Sequence, residues 1–229
     1  MKLPQPLQRG RLLRRYKRFL ADILMDDGRE ITAVTPNTGS MKGLCVTNAP
    51  VMVSYSNSPS RKIPYTWELV EIQGKWVGIN THLPNALVAE CLDKRSIPEL
   101  AEFETYRREV RLQSGSRIDF GLGNDEALLE VKNVTLVENS VALFPDSITE
   151  RGTKHLHELM GAVSRGVKAY MVYVVQHHLA ESFSPADGID PVYGKALRAA
   201  ENRGVKLLAL KAKVSEFEIS LTEQIPIHL

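Results

Sequence analysis

The chain has 229 residues, 43% of them apolar and 24% charged, with a formal net charge of +2. That balance excludes a disordered chain, and no run approaches the roughly 18 apolar residues of a membrane span. The N-terminus lacks the apolar stretch of a signal peptide, so a cytoplasmic protein without a membrane partner is expected. The two cysteines, Cys45 and Cys91, lack metal-type spacing, which argues against a disulfide framework or a zinc knuckle.

Residues 1–85 carry short β-like runs at 12–24, 31–34, 44–46, 51–54, 66–72 and 76–79. Turn-forming stretches separate them: Asp26-Asp27-Gly28, Asn37-Thr38-Gly39, Asn57-Ser58-Pro59 and Gln73-Gly74. Strands of this length and number predict a small antiparallel barrel of OB type, a scaffold that often binds single strands. Its first segment is basic: Arg9, Arg11, Arg14, Arg15, Lys17 and Arg18 occur without an intervening acid and interleave with Tyr16 and Phe19. This mixture suits a phosphate backbone and stacked bases. Arg61 and Lys62 beside Tyr65 repeat it weakly. Strand alternation equally allows Leu12, Tyr16 and Leu20 to face the barrel, with the bases in water.

Residues 86–229 read as an α/β domain. A helical stretch opens near 81–92, and Leu100, Phe103, Tyr106 and Val110 fall on one helical stripe behind Pro98, which predicts a helix over 98–112. Strands are expected at 117–122, 126–132 and 134–143, a helix at 149–164, a buried strand at 169–176, a helix at 191–202, and strands at 205–214 and 217–225. The resulting order α-β-β-β-α-β implies a mixed sheet with helices packed on it.

Within this domain Asp119 lies on one short apolar segment, and Glu130-Val131-Lys132 lies near the end of the next. On a strand, Glu130 and Lys132 leave the same face while Leu129 and Val131 enter the other. Charges set among apolar residues are poorly solvated unless they bind something. Two acids and a lysine gathered by a hairpin would make a divalent-metal site for Mg²⁺ or Mn²⁺. Asp119 and Glu130 would be its ligands, with Lys132 orienting a water and offsetting developing charge. The pattern resembles the PD-(D/E)xK nuclease motif. Glu109 is expected as a fourth catalytic group, placed with Glu102 on the flank of the predicted helix.

Beyond Phe144-Pro145-Asp146, Thr149 is expected to cap a helix, without a capping box because Gly152 stands where Glu would complete it. Arg151, Lys154 and His155 would cluster in its first turns and meet a phosphate, helped by the helix start. Arg117 joins them as a candidate nucleic-acid contact. Asp146 is read as a capping rather than a metal residue, Gln176 as structural, His177-His178 as a strand end, and Asp187 and Asp190 as turn and cap residues. His155, His157 and Glu158 form no trusted zinc pattern.

Several blocks in order extend the likeness: Pro36-Asn37-Thr38-Gly39, Arg61-Lys62, Gly115-Ser116-Arg117-Ile118-Asp119-Phe120, Glu130-Val131-Lys132-Asn133-Val134-Thr135, and Phe144-Pro145-Asp146 through Arg151-Gly152 to Lys154-His155-Leu156. Through them the chain resembles the sugar fermentation stimulation protein A family over nearly its whole length. The resemblance implies a bacterial cytoplasmic protein with an N-terminal OB-like domain and a C-terminal nuclease-like domain. It also implies non-specific DNA binding and a regulatory role in sugar, especially maltose, metabolism. Three functions compete: a DNA-binding regulator, a Mg²⁺- or Mn²⁺-dependent nuclease acting on DNA or RNA, and an interaction module with a vestigial site.

Overall fold

Strand periodicity organises the first third of the chain. The computed structural model describes residues 1–229 and places six strands there: β1 (Gln8–Tyr16), β2 (Leu20–Met25), β3 (Glu30–Val34), β4 (Pro50–Tyr55), β5 (Tyr65–Ile72) and β6 (Lys75–Gly78). They follow the order β3-β2-β1-β4-β5-β6, and a parallel pairing of Ala33 and Val34 with Tyr65 and Thr66 joins β3 to β5. This closes the barrel and removes its free edges. Leu12, Ile23, Val51, Val53 and Trp67 fill its interior.

Two local expectations change. The basic run at 12–24 is a hairpin rather than one strand, because Lys17 (φ 50°) and Arg18 (φ 66°) turn the chain and pair Tyr16 with Leu20. The segment 44–46 is a turn whose Leu44 is buried in the barrel core, so an apolar plug was read as a strand.

The second part begins with α1 (Leu83–Asp93) and continues through β7 (Tyr106–Arg111), β8 (Arg117–Leu122), β9 (Ala127–Val134), β10 (Leu136–Glu138), β11 (Val141–Phe144), α2 (Glu150–Ser164), β12 (Lys168–Val175), β13 (Ser182–Pro185), α3 (Pro191–Asn202), β14 (Lys206–Val214) and β15 (Ile219–Gln224). Its main sheet runs β15-β14-β12-β9-β8-β7; β9, β12 and β14 are parallel, and the outer strands are antiparallel. α1 packs one face through Leu87 and Val88 against Leu129, Val131 and Tyr170. α2 and α3 cover the other through Leu156, Leu159 and Leu197 over Leu128, Met171 and Tyr173. No helix is long and apolar enough to cross a membrane.

The expected helix over 98–112 does not form. One 3-10 turn (Pro98–Leu100) leads into β7. Leu100 and Phe103 reach the core from the turn and the loop after it, whereas Tyr106 and Val110 pack from the strand. The helical spacing was therefore coincidental, and the exposed Arg107, Arg108, Glu109 and Arg111 suit an edge strand with one face in water. The order α-β-β-β-α-β survives with α1 as its first helix and β7, β8 and β9 as its strands. The run 134–143 leaves the main sheet and makes a small sheet of its own, β10-β11-β13.

The two parts are tied closely. The backbone N–H of Met41 donates to Asp146 Oδ2 at 3.1 Å, Lys42 pairs with Glu138 at 2.7 Å, and the Trp76 indole donates to Glu216 at 3.1 Å. A Cβ on Gly39 would stand 2.5 Å from Asp146 Oδ2, and one on Gly78 would stand 2.2 Å from Gln176 Oε1. Only glycine permits those approaches. Asp146 is thus a link between the parts rather than a helix cap.

Candidate functional site

β8 and β9 pair from Leu122↔Ala127 to Phe120↔Leu129, and then part. At the parting, two side chains take over the ladder. Asp119 Oδ2 accepts the N–H of Val131 at 2.8 Å, and Glu130 Oε2 accepts the N–H of Asp119 at 3.3 Å. Each carboxylate satisfies a backbone donor of the opposite strand, which is why two acids can stand together inside a sheet. The parting coincides with a change of face: Ile118 enters the core beneath α2, whereas Phe120, two residues on, enters the core beneath α1. In β7, Val110 and Tyr106 divide in the same way around Glu109, whose φ is 54°.

From this kink Asp119 meets α1, where Asn85 Nδ2 donates to its Oδ1 at 2.8 Å. Glu130, buried to 2% exposure, points toward α2. Its Oε1 accepts from Lys132 Nζ at 2.6 Å and contacts His155 Nδ1, which lies 3.2 Å from the same ammonium. With its proton on Nδ1 the ring donates to Glu130; without it, Nδ1 accepts from Lys132.

Electrostatics separate the two acids. Burial, together with the charge of Glu130, pushes the Asp119 carboxyl up to about 6. Burial opposes ionisation of Glu130 as well, but the His155 bond and the Lys132 charge outweigh it and hold that carboxyl below the usual range. No group of three or more His, Cys, Asp or Glu side chains stands close enough to enclose a metal unaided. The chain offers two carboxylates, and such a pair fits a cation whose other positions belong to water or substrate phosphate, as Mg²⁺ sites commonly do.

Asp119, Glu130 and Lys132 therefore come together as their spacing implied. Glu109 does not join them: it is an exposed residue of the edge strand, 3.9 Å from Arg117, because the helix that was to carry it is a strand. His155, expected at the surface against phosphate, is 4% exposed and belongs to the carboxylate cluster. Arg15 is occupied structurally, donating to the carbonyls of Arg18, Asn37, Gly39 and Ser40. Arg14 pairs with Asp22 at 2.8 Å, and Arg61 donates to Thr66. Lys17, Arg18, Lys62, Arg117, Arg151 and Lys154 are exposed. Asn85 was missed. Its only signal was a polar residue in the first turn of a helix whose other polar residues, Glu90 and Asp93, fall near its end.

A cavity of about 220 Å³ opens between the two parts, lined by Asn37, Thr38 and Gly39 from the barrel and by Asn133, Thr135 and Asp146 from the second part. None of Asp119, Glu130, Lys132 and His155 lines it. Arg15 ties the turn at 17–18 to the same barrel loop, which places Lys17 and Arg18 near the cavity's rim.

Comparison with known proteins settles the lineage. The family described as sugar fermentation stimulation protein RE domain matches residues 82–218, and the SfsA N-terminal OB domain matches residues 13–79. The chain belongs to the sugar fermentation stimulation protein family. A family homologue from Geobacter sulfurreducens is 51% identical over 99% of this chain and 98% of its own. Another, from Gloeobacter violaceus, is 46% identical over 92% of this chain and 90% of its own. Among solved structures, family member SfsA of Pyrococcus furiosus, described as in complex with Ca²⁺, superposes with a TM-score of 0.89 at 25% identity. It covers 100% of this chain and 98% of its own.

Proposed function

We propose that this family member binds DNA without sequence preference across its two domains, taken as 1–85 and 86–229, and hydrolyses phosphodiester bonds with a divalent cation held by Asp119 and Glu130. The observation that carries this reading is the meeting of those acids with Lys132 at the parting of β8 and β9. Two carboxylates and one ammonium gather there, and burial, with the charge of Glu130 second to it, raises the Asp119 carboxyl. An all-oxygen pair selects hard cations such as Mg²⁺, Mn²⁺ or Ca²⁺, and the archaeal relative in complex with Ca²⁺ supports that class.

When bound, the cation would polarise the scissile phosphate and lower the pKa of a water. The chain's own groups do the rest. Asn85 and the Val131 N–H fix the Asp119 carboxylate in one orientation, and His155 and Lys132 keep Glu130 ionised. Lys132, partly exposed, also supplies positive charge to a phosphate brought to the cation. Lys17 and Arg18 on the barrel, with Arg151 and Lys154 on the first turns of α2, form the cationic margins along which a strand would lie. We place the protein in the cytoplasm, where such a substrate is found, and keep regulation of sugar metabolism as the outcome of DNA binding without cleavage.

The test is incubation of single- and double-stranded DNA and RNA with Mg²⁺ or Mn²⁺, alongside Asp119→Ala, Glu130→Gln and Lys132→Ala. Cleavage by the parent and its loss by at least a hundredfold in each variant are expected. Products formed equally by the variants would remove the site. DNA binding without any cleavage would leave the non-catalytic regulator.

A further inference from the structure

A larger cavity with converging polar groups, about 680 Å³, lies elsewhere. It opens at the carboxyl ends of β12 and β14, the edge of a parallel sheet where ligands characteristically bind, and the β5–β6 turn of the barrel forms its opposite wall. Its volume falls within the roughly 300–1,000 Å³ of small-molecule sites. Trp76 and Phe217 supply aromatic surface; Phe217 is 67% exposed, an unusual position for so large an apolar side chain unless it meets something. Arg9 covers one face of Trp76, its guanidinium 5.8 Å from the ring.

Three lysines line the same cavity. Lys211 pairs with Glu223 at 3.3 Å, and Glu216 is held by the Trp76 indole, so both acids of the lining are engaged. Lys75 and Lys213 have no carboxylate partner. His178, also in the lining, has a buried Nδ1 with no hydrogen-bond partner. Burial, followed by the charges of Lys75 and Lys211, holds that imidazole below its usual value; the lining sets three ammonium groups against two carboxylates, which leaves it net positive.

We propose that this junction cavity is a second binding site, for a nucleotide unit whose base stacks on Trp76 and Phe217 and whose phosphate is drawn to Lys75 and Lys213. An aromatic wall beside unpaired ammonium groups fits a phosphorylated heterocycle better than a neutral sugar or a plain anion. The unit comes either from a free nucleotide or from a strand passing through. The site is independent of hydrolysis at Glu130, since its residues lie on β6 and the turn before it, β14, the β14–β15 connection, β15 and the loop after β12, and not on β8 or β9.

Tryptophan emission provides the assay, because Trp67 is fully buried whereas Trp76 borders the cavity. The full-length protein would be titrated in EDTA with AMP, dTMP, adenosine, inorganic phosphate and a thymidine decamer. Saturable quenching by AMP or dTMP is expected, at least fivefold tighter than by adenosine or phosphate. It should be lost in Trp76→Phe and weakened at least tenfold in Lys75→Ala/Lys213→Ala. Quenching by the decamer alone would assign the site to a strand, upholding the chemistry. No saturable change up to millimolar nucleotide, or equal affinity in the double variant, would overturn the site. Glu130→Gln should bind as the parent does, and a parent that cleaves nothing yet keeps saturable quenching would count against hydrolysis and not against this site.

Discussion

Asp119→Asn offers the most searching prediction, because it should stabilise the protein while removing a ligand of the proposed cation. The Asp119 carboxyl stands at about 6 in the folded chain against an ordinary 3.8. At about 1.36 kcal/mol per pKa unit, ionising it in the fold costs about 3 kcal/mol, or about 2–3 kcal/mol after allowance for its partial exposure. Because the folded value is the higher one, the folded state binds this proton more tightly. The contribution of Asp119 to stability is therefore full below about pH 4 and is lost as pH rises through about 6. Asparagine keeps an acceptor for the Val131 N–H and never ionises. Urea and thermal unfolding in EDTA should show the variant more stable at pH 8, with Tm higher by roughly 4–12 °C, and the gap shrinking toward zero between pH 6 and 4. Added Mg²⁺ should stabilise the parent and not the variant. A variant no more stable than the parent at pH 8, or a gap independent of pH, would refute the electrostatic account of the site.

The other predictions concern its surroundings. His155→Ala leaves the buried Glu130 carboxylate short of a donor and should cost about 2–4 kcal/mol at pH 8 by urea unfolding; adding Glu130→Gln should recover part of it, and no recovery would reduce His155 to packing. Arg15→Ala should cost about 2–3 kcal/mol through the lost carbonyl bonds yet leave the salt dependence of DNA binding unchanged, whereas Lys17→Ala/Arg18→Ala should lower the slope of log K against log salt by about 2. Equal slopes in the two variants would contradict this division between scaffold and surface. Gly39→Ala forces a Cβ against Asp146 and should lower stability by about 1–3 kcal/mol in thermal unfolding; if Asp146→Ala in the same chain brings no relief, the clash is not the cause.

The barrel and the carboxylate cluster were legible because both depend on alternation along strands. Leu129 and Val131 enter one core while Glu130 and Lys132 leave the other face, and a two-residue period shows this directly. What failed was information the alternation does not carry. Tyr106 and Val110 match a helical stripe and an edge strand equally well, and the tie was broken by pairing with β8, which lies outside the segment itself. β13 was missed because Ser182–Pro185 has little apolar content and owes its strand form to the neighbouring Val141–Phe144. His155 was misplaced for a related reason: the helix face it occupies is buried, with Leu156, Leu159 and Met160, but nothing in the segment says that Glu130 waits beneath it. Arg15 looked like its basic neighbours, and only the fold of the 37–40 loop reveals that four carbonyls converge on it.

Because Asp119 and Glu130 stand in for missing main-chain acceptors, chemistry and architecture share the same oxygen atoms. A descendant without the proposed hydrolysis would still be penalised for replacing either acid by a side chain that has no oxygen acceptor, since an amide group would be stranded where the strands separate. Lys132, which donates to no backbone group, is the member of the trio that such a lineage would release first, so its identity across relatives is a keener witness to the proposed hydrolysis than the acids themselves.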